Sequence, residues 1–267
     1  MRSPDLPLDQ LFDVPPLVDG RATIDVPDRW QQGRGAFGGL VTGIAIRALE
    51  HVAPDRPLRS LTAELCGPLQ AGAADVVVEI LRAGNAVTTA AVRLVQHGEV
   101  QAHGVGVLGK HRPVGVATHT LIAPPKALAT PWRDVPPAPL TSFAPTFAEH
   151  AELRVIGPLP FTGASEARLE GWVRWKHPGT RRDAAFLAAC ADSYWPARFA
   201  IERAPRPMAT IAFTFQPLAP APQGDAAIFY RAAMLAEDAG YCVEQRELWS
   251  ETGELLALNQ QTFVVIK

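Results

Sequence analysis

Two stretches of helical length in this chain have almost no polar face, and short alternating runs fill most of the rest. Between Ala184 and Ala191 every residue is apolar, and Gly38–Val52, closed by Pro54, is mostly so. A helix that is apolar all round must be covered on every side. The pattern therefore predicts two buried helices. One covers Gly38–Val52 and is entered through Gly38-Gly39; the other covers Asp183–Trp195 and is stopped by Pro196. Elsewhere strand-like runs prevail. Strands are predicted over Arg21–Val26, Arg59–Cys66, Ala74–Leu81, Ala86–Gln96 and Glu99–Leu108, and again over Arg168–Trp175, Met208–Gln216, Ala226–Leu235, Tyr241–Ser250 and Leu255–Ile266. Turns at Gly84-Asn85, His97-Gly98, Asp238-Ala-Gly240 and Thr252-Gly253 are too short for parallel crossovers, so these strands run antiparallel.

The order strand, loop, helix, strands occurs twice. Leu61-Thr-Ala-Glu-Leu-Cys-Gly-Pro68-Leu69 stands over Thr210-Ile-Ala-Phe-Thr-Phe-Gln-Pro217-Leu218, and Gly98-Glu-Val-Gln-Ala102 over Gly253-Glu-Leu-Leu-Ala257. A duplicated α+β unit accounts for both, each wrapping one helix in an antiparallel sheet. Joining the two sheets edge to edge would also protect their edge strands. Ten of the 25 prolines fall between 112 and 160, where no long periodic element survives. The expected division is a first unit over 1–111 with an irregular lead-in, a Pro-rich linker over 112–160, and a second unit over 161–267.

Composition narrows the function classes. With 267 residues, 48% hydrophobic and 19% charged, the chain has ample core material. A net charge of -2 gives no electrostatic footprint for nucleic acid or an anionic membrane. The three cysteines have no metal-ligand spacing, so neither a zinc site nor another metal is expected. Their sparse, odd number points to a reducing compartment. The chain shows neither a signal-peptide core nor an apolar run of about 20 residues, and the cytoplasm is the expected location. Gly33-Arg-Gly-Ala-Phe-Gly38 matches a dinucleotide fingerprint in letters only, because no strand turns directly into it and no βαβ unit follows. Gly104-Val-Gly106 reads as a glycine-rich strand lying against another backbone.

The candidate chemistry starts at Asp192. A carboxylate in an apolar helix must be paired, hydrogen-bonded or kept for reaction; the alternative is a wet edge near the helix end. The Gly38-Gly39 entrance offers free N–H groups that could polarise a carbonyl oxygen at Gly39, or simply allows tight packing. Thr210 and Gln261 lie on strands that can point at one spot on the helix, although a strand Thr is usually only a β-former. By alternation one of Gln260 and Gln261 faces water.

Gly33–Gly39 opening a helix, Arg59-Ser-Leu-Thr-Ala-Glu-Leu-Cys-Gly-Pro68, the helix with Asp192, Ala209-Thr210-Ile211, and Leu256-Ala257 leading to Gln261 together resemble the acyl-CoA thioesterases of the double-hotdog type, bacterial acyl-CoA thioesterase II in particular. The resemblance spans residues 20–110 and 160–267. It implies a tandem hotdog fold and hydrolysis of acyl-CoA thioesters. It also implies a water held by Asp192, Thr210 and Gln261 (or Gln260), no cofactor, and a homo-oligomer. After Thr210 the family's polar Asp-His-Ser run is replaced by Ala212, Phe213 and Thr214, which bears on substrate preference. A non-catalytic acyl-CoA or lipid-binding protein is the alternative, and a hydratase ranks third because no histidine lies near the second helix start.

Overall fold

The computed structural model describes residues 6–113, 120–141 and 144–266. The first five residues of the lead-in and parts of the Pro-rich segment lie outside them. The described chain begins with a single turn, α1 (Leu8–Leu11), followed by β1 (Arg21–Val26) and a small hairpin of β2 (Gln31–Gln32) and β3 (Gly35–Ala36). Helix α2 (Gly38–His51) follows, buried from Gly38 to Leu49. Four antiparallel strands complete the half: β4 (Leu58–Leu65), β5 (Gly72–Ala83), β6 (Val87–Gln96) and β7 (Glu99–Gly109); only β5, β6 and β7 form the expected meander, and β4 pairs with β7 instead. The second half has β8 (Ala151–Ile156), β9 (Arg168–Trp175), α3 (Ala184–Ala191), β10 (Met208–Pro217), β11 (Ile228–Asp238), β12 (Tyr241–Trp249) and β13 (Leu255–Val265).

The two sheets do join edge to edge. One eleven-stranded sheet runs β1-β5-β6-β7-β4-β10-β13-β12-β11-β9-β8. Its central seam is the antiparallel pair β4–β10, with Leu61 opposite Phe215 and Glu64 opposite Ala212. These are the two segments that the sequence repeat aligns, so the seam lies on a quasi-twofold axis. Each half wraps its own helix, which is the tandem hotdog arrangement. The helices pack on each other inside: a side chain at Gly39 would meet Ala189, and Arg47 near the far end of α2 binds Asp183 at 2.6 Å. They therefore run antiparallel, each start against the other's end. Gly106 of β7 makes room for α2, since a Cβ there would lie 2.6 Å from Leu49 Cδ1. Gly104 does lie against another backbone, the Thr62 carbonyl at 3.2 Å from a Cβ there, whereas the neighbour of Gly106 is a helix side chain.

Three features differ from expectation. The second helix stops at Ala191 rather than Trp195. Asp192 has φ -102° and ψ 1°, outside the helical basin, and Ser193 Oγ donates to the Cys190 carbonyl at 2.8 Å. The residue before Pro196 is itself disfavoured in the helical basin, so the last turn unwinds early. The Pro-rich segment carries an edge strand, β8, in the proline-free interval after Pro145, and it pairs along β9. That segment is also anchored rather than merely draped. Phe147 is buried and stacks on Phe37 at 4.0 Å, and Trp132 lies under the guanidinium of Arg154 at 4.4 Å. Among the described residues no helix is long and apolar enough to cross a membrane.

The α3 start supplies a stability test. Asp183 caps the helix by accepting from the Ala185 and Phe186 N–H groups, at 3.1 and 3.3 Å. Burial, together with the Asp183 charge, raises the nearby Glu50 carboxyl from 4.5 to about 7, against Arg47 and Arg181. The folded state thus binds this proton more tightly than the unfolded chain. Its contribution is fully present below pH 4.5 and is lost as pH rises towards 7. Glu50→Gln is therefore expected to raise the melting temperature by a few degrees at pH 8 and to leave it unchanged near pH 4.5, as read by thermal denaturation at both values.

Candidate active site

Asp192 stands where the end of α3 meets the start of α2. That approach is possible because α2 begins with two glycines. A Cβ on Gly38 would lie 2.6 Å from Asp192 Oδ2, and one on Gly39 would run into the Phe37 ring and Ala189. The carboxylate occupies the room so left and is 5% exposed. The wet-edge alternative is thereby excluded. The Gly39 N–H lies near the Asp192 carboxylate and works against the rise in its pKa. The missing side chain of Gly39 thus serves helix packing, the second of the two roles expected for the glycine entrance.

Thr210 reaches the same spot through an irregularity in β10. Phe213 and Phe215 are buried on the inner face, and strict alternation from them would turn Thr210 outwards. A bulge between Thr210 and Ala212 shifts the phase by one residue and turns Thr210 in; bulges commonly re-aim side chains in this way. Its Oγ1 donates to Gln261 Oε1 at 3.0 Å, and Gln261 Nε2 donates to Asp192 Oδ1 at 2.9 Å. Gln260 is exposed on the other face, so the position that joins Asp192 and Thr210 is Gln261, fully buried.

Three further polar residues complete the cluster, and sequence reasoning did not find them. Asn259 Oδ1 accepts the second Gln261 amide hydrogen at 3.0 Å. Arg246 on β12 donates through Nη1 to the Ala191 carbonyl at 2.8 Å and approaches Asp192 Oδ1 at 3.5 Å. Its Nε donates to Glu244 Oε1 at 2.7 Å, while Glu244 Oε2 takes the Ala197 N–H at 2.6 Å. Asn259, Arg246 and Glu244 are all essentially unexposed. Across the sheet Glu244 pairs with Gln261 and Arg246 with Asn259, so their side chains share the inner face. A charged pair alternating with buried Cys242 and Leu248 was the available signal.

The electrostatics follow from this burial. Loss of water pushes the Asp192 carboxyl above its ordinary value, while Arg246, the Gln261 amide and the Gly39 N–H pull it back. Burial likewise raises Glu244, against Arg246. Two buried carboxylates share one guanidinium, which stays protonated in proteins.

The cluster borders a cavity of about 1180 Å³. Asp192, Thr210 and Arg246 sit on its wall, the β2–β3 hairpin forms one side, and residues of the Pro-rich segment, among them Pro137, Leu140, Ala144 and Phe147, contribute another. The walls are mainly apolar, with the carboxylate and hydroxyl at one place. Such a site can take an apolar chain and present its polar end to an acceptor pair.

Residues 26–109 match the model of the acyl-CoA thioesterase N-terminal domain, and residues 124–265 that of the acyl-CoA thioesterase C-terminal domain. The chain belongs to the acyl-CoA thioesterase family. Among solved structures it is similar to a hot dog fold protein of unknown function from Alicyclobacillus acidocaldarius. That match has a TM-score of 0.87 at 23% identity over 97% of this chain and 98% of that one. It is also similar to an acyl-CoA thioesterase II from Mycobacterium marinum, with a TM-score of 0.77 at 20% identity over 97% and 98% of the two chains. At these identities the likeness speaks for the fold. Comparison with curated proteins gives no match.

The glycine entrance of this thioesterase gives a direct test. In Gly38→Ala the new methyl group would press on Asp192 Oδ2, and the carboxylate would have to move. A displacement of that size costs about 100-fold in a positioned reaction. Thiol release from acyl-CoA is expected to fall by that order, and a melting curve checks that the fold survives.

Proposed function

We propose that this chain hydrolyses acyl-CoA thioesters with a water held between Asp192 and Thr210, both kept in place by Gln261. The observation that carries the reading is the continuous hydrogen-bonded path Asp192–Gln261–Thr210 on the wall of a large, mainly apolar cavity. Thr210 gives its only hydroxyl hydrogen to Gln261, so its oxygen faces the cavity as an acceptor. The ionised Asp192 carboxylate is an acceptor too. A water between them would have both hydrogens taken and its lone pairs left for attack.

In the reaction the water oxygen bonds to the thioester carbonyl carbon while Asp192 takes one of its protons. The tetrahedral intermediate collapses with cleavage of the carbon–sulfur bond. The departing CoA thiolate takes up that proton, leaving free acid, CoA and the carboxylate restored. A partly desolvated carboxylate is a stronger base than one in water, so burial assists the first step, and Arg246 keeps it from being protonated permanently. Orientation of the water by fixed partners supplies several kcal/mol more. The reading extends to a cytoplasmic homo-oligomer. Three free cysteines favour the reducing compartment, and the family resemblance favours assembly.

The test is release of CoA thiol from short, medium, long and aromatic acyl-CoAs by wild type and Asp192→Asn. Wild type is expected to turn over at least one of them, and the folded variant to lose at least about 100-fold. No turnover on any substrate, with acyl-CoA still raising the melting temperature, would favour the binding-protein alternative. Full activity in Asp192→Asn would remove Asp192 as the base.

A further inference from the structure

The two ends of the buried hydrogen-bond chain fix its direction. Asn259 Nδ2 donates to the Thr214 carbonyl at 2.7 Å, and a backbone carbonyl can only accept. Asn259 must therefore turn its amide NH2 to Thr214 and its Oδ1 to the other side. That oxygen faces Gln261 Nε2 at 3.0 Å, and the other Nε2 hydrogen goes to Asp192 Oδ1 at 2.9 Å. With both amide hydrogens committed, Gln261 Oε1 is left to accept from Thr210 Oγ1 at 3.0 Å. The polarity of the Thr210 hydroxyl is thus decided three residues away, at a carbonyl in β10.

Asp192 alone would orient Gln261 only while it is ionised. Once it has taken a proton it can donate as well as accept, and the amide could turn over without losing a bond. A turned amide would place NH2 against Thr210, and the hydroxyl would lose its partner or its direction. Asn259 removes that freedom, because its Oδ1 demands an N–H from Gln261 in either protonation state of Asp192. Both residues are buried, at 1% and 0% exposure, so no solvent competes for the bond.

We propose that Asn259 is a positioning residue of the hydrolysis: tied to the Thr214 carbonyl, it locks the Gln261 amide so that Thr210 keeps its acceptor side towards the cavity while the base is protonated. The inference rests on the roles proposed above for Gln261 and Thr210. It assigns Asn259 no contact with substrate and no share in binding.

The test is a double-mutant cycle read by CoA thiol release. Asn259→Leu keeps the volume and removes the acceptor. It is expected to lower kcat at least tenfold, with KM within twofold of wild type and the fold intact by melting curve. If Asn259 acts through Gln261, adding Asn259→Leu to Gln261→Leu costs less than a further twofold, because the amide it orients is already gone. An unchanged kcat in Asn259→Leu would overturn the proposal. So would a loss repeated in full on the Gln261→Leu background, since Asn259 would then matter for strand packing. Should Asn259→Leu not fold, Asn259→Thr takes its place in the cycle under the same criteria, and failure of both to fold would make Asn259 a structural residue only. Full turnover in Gln261→Leu alone would instead remove the proposed role of Gln261, a separate failure.

Discussion

A carboxylate taken out of water has to be given donors, and Asp192 sets that demand at the point where two buried helices meet. Leaving such a charge unpaired would cost several kcal/mol. The surrounding sequence is arranged to avoid this. Gly38 and Gly39 let the first turn of α2 close on the carboxylate and bring an N–H to it. Arg246 brings a positive charge to 3.5 Å, and Gln261 brings an amide hydrogen to 2.9 Å. Arg246 is itself fully buried and needs a second anion, which Glu244 provides at 2.7 Å. One buried acid therefore accounts for two glycines, a buried ion pair and two strand amides.

The quasi-twofold axis shows how one end of the helix pair differs from the other. At the far end the start of α3 meets the end of α2, and there Arg47 closes on the capping carboxylate of Asp183 at 2.6 Å. That carboxylate is occupied as the cap of two helix N–H groups and as the ion-pair partner of Arg47. At the near end α3 finishes with Asp192, whose partners leave one oxygen beside Gly38 on the cavity wall. The same pair of antiparallel helices thus presents an ion-paired cap at one end and a buried carboxylate on the cavity wall at the other. Duplication supplied two equivalent corners, and the side chains made them unlike.

The two helices and ten of the strands were legible because apolar runs and period-two alternation report burial directly. Asp192 was legible for the same reason, as the one charge in an apolar run. Other parts were not, each for its own cause. Alternation counted back from Phe213 places Thr210 outside, and only the bulge at Ile211 brings it in; a bulge is set by pairing with β13 and leaves no local mark. The choice between Gln260 and Gln261 needed the strand phase. Arg246 and Glu244 carried little local mark, since charges on an inner strand face are rare and Arg246 finds Ala191 and Asp192 more than 50 residues away. β8, six residues long, hid in a proline-free interval of a segment whose prolines otherwise forbid long elements. The early stop of α3 turned an interior helical residue into a C-terminal one, which is what frees the carboxylate to face β13.

The division of labour between rigid and irregular backbone has a further consequence. Every polar group of the cluster sits on a helix end or a strand of the central sheet, whose backbone is held by ladder hydrogen bonds. The cavity walls opposite come from the β2–β3 hairpin and from the Pro-rich segment, whose backbone is held by few ladder bonds. Side chains there can change in size without shifting Asp192, Thr210 or Gln261, whereas any change of volume at Gly38, Gly39 or Asn259 acts on the polar network itself. Substrate fit and reaction chemistry are thus carried by different parts of the backbone. The departure from the family's polar run after Thr210 falls on the outer side of the bulge, at Ala212 and Thr214, and on the buried Phe213, away from the Asp192–Gln261–Thr210 path. A chain can lose that polar run and still keep the geometry on which the proposed hydrolysis depends.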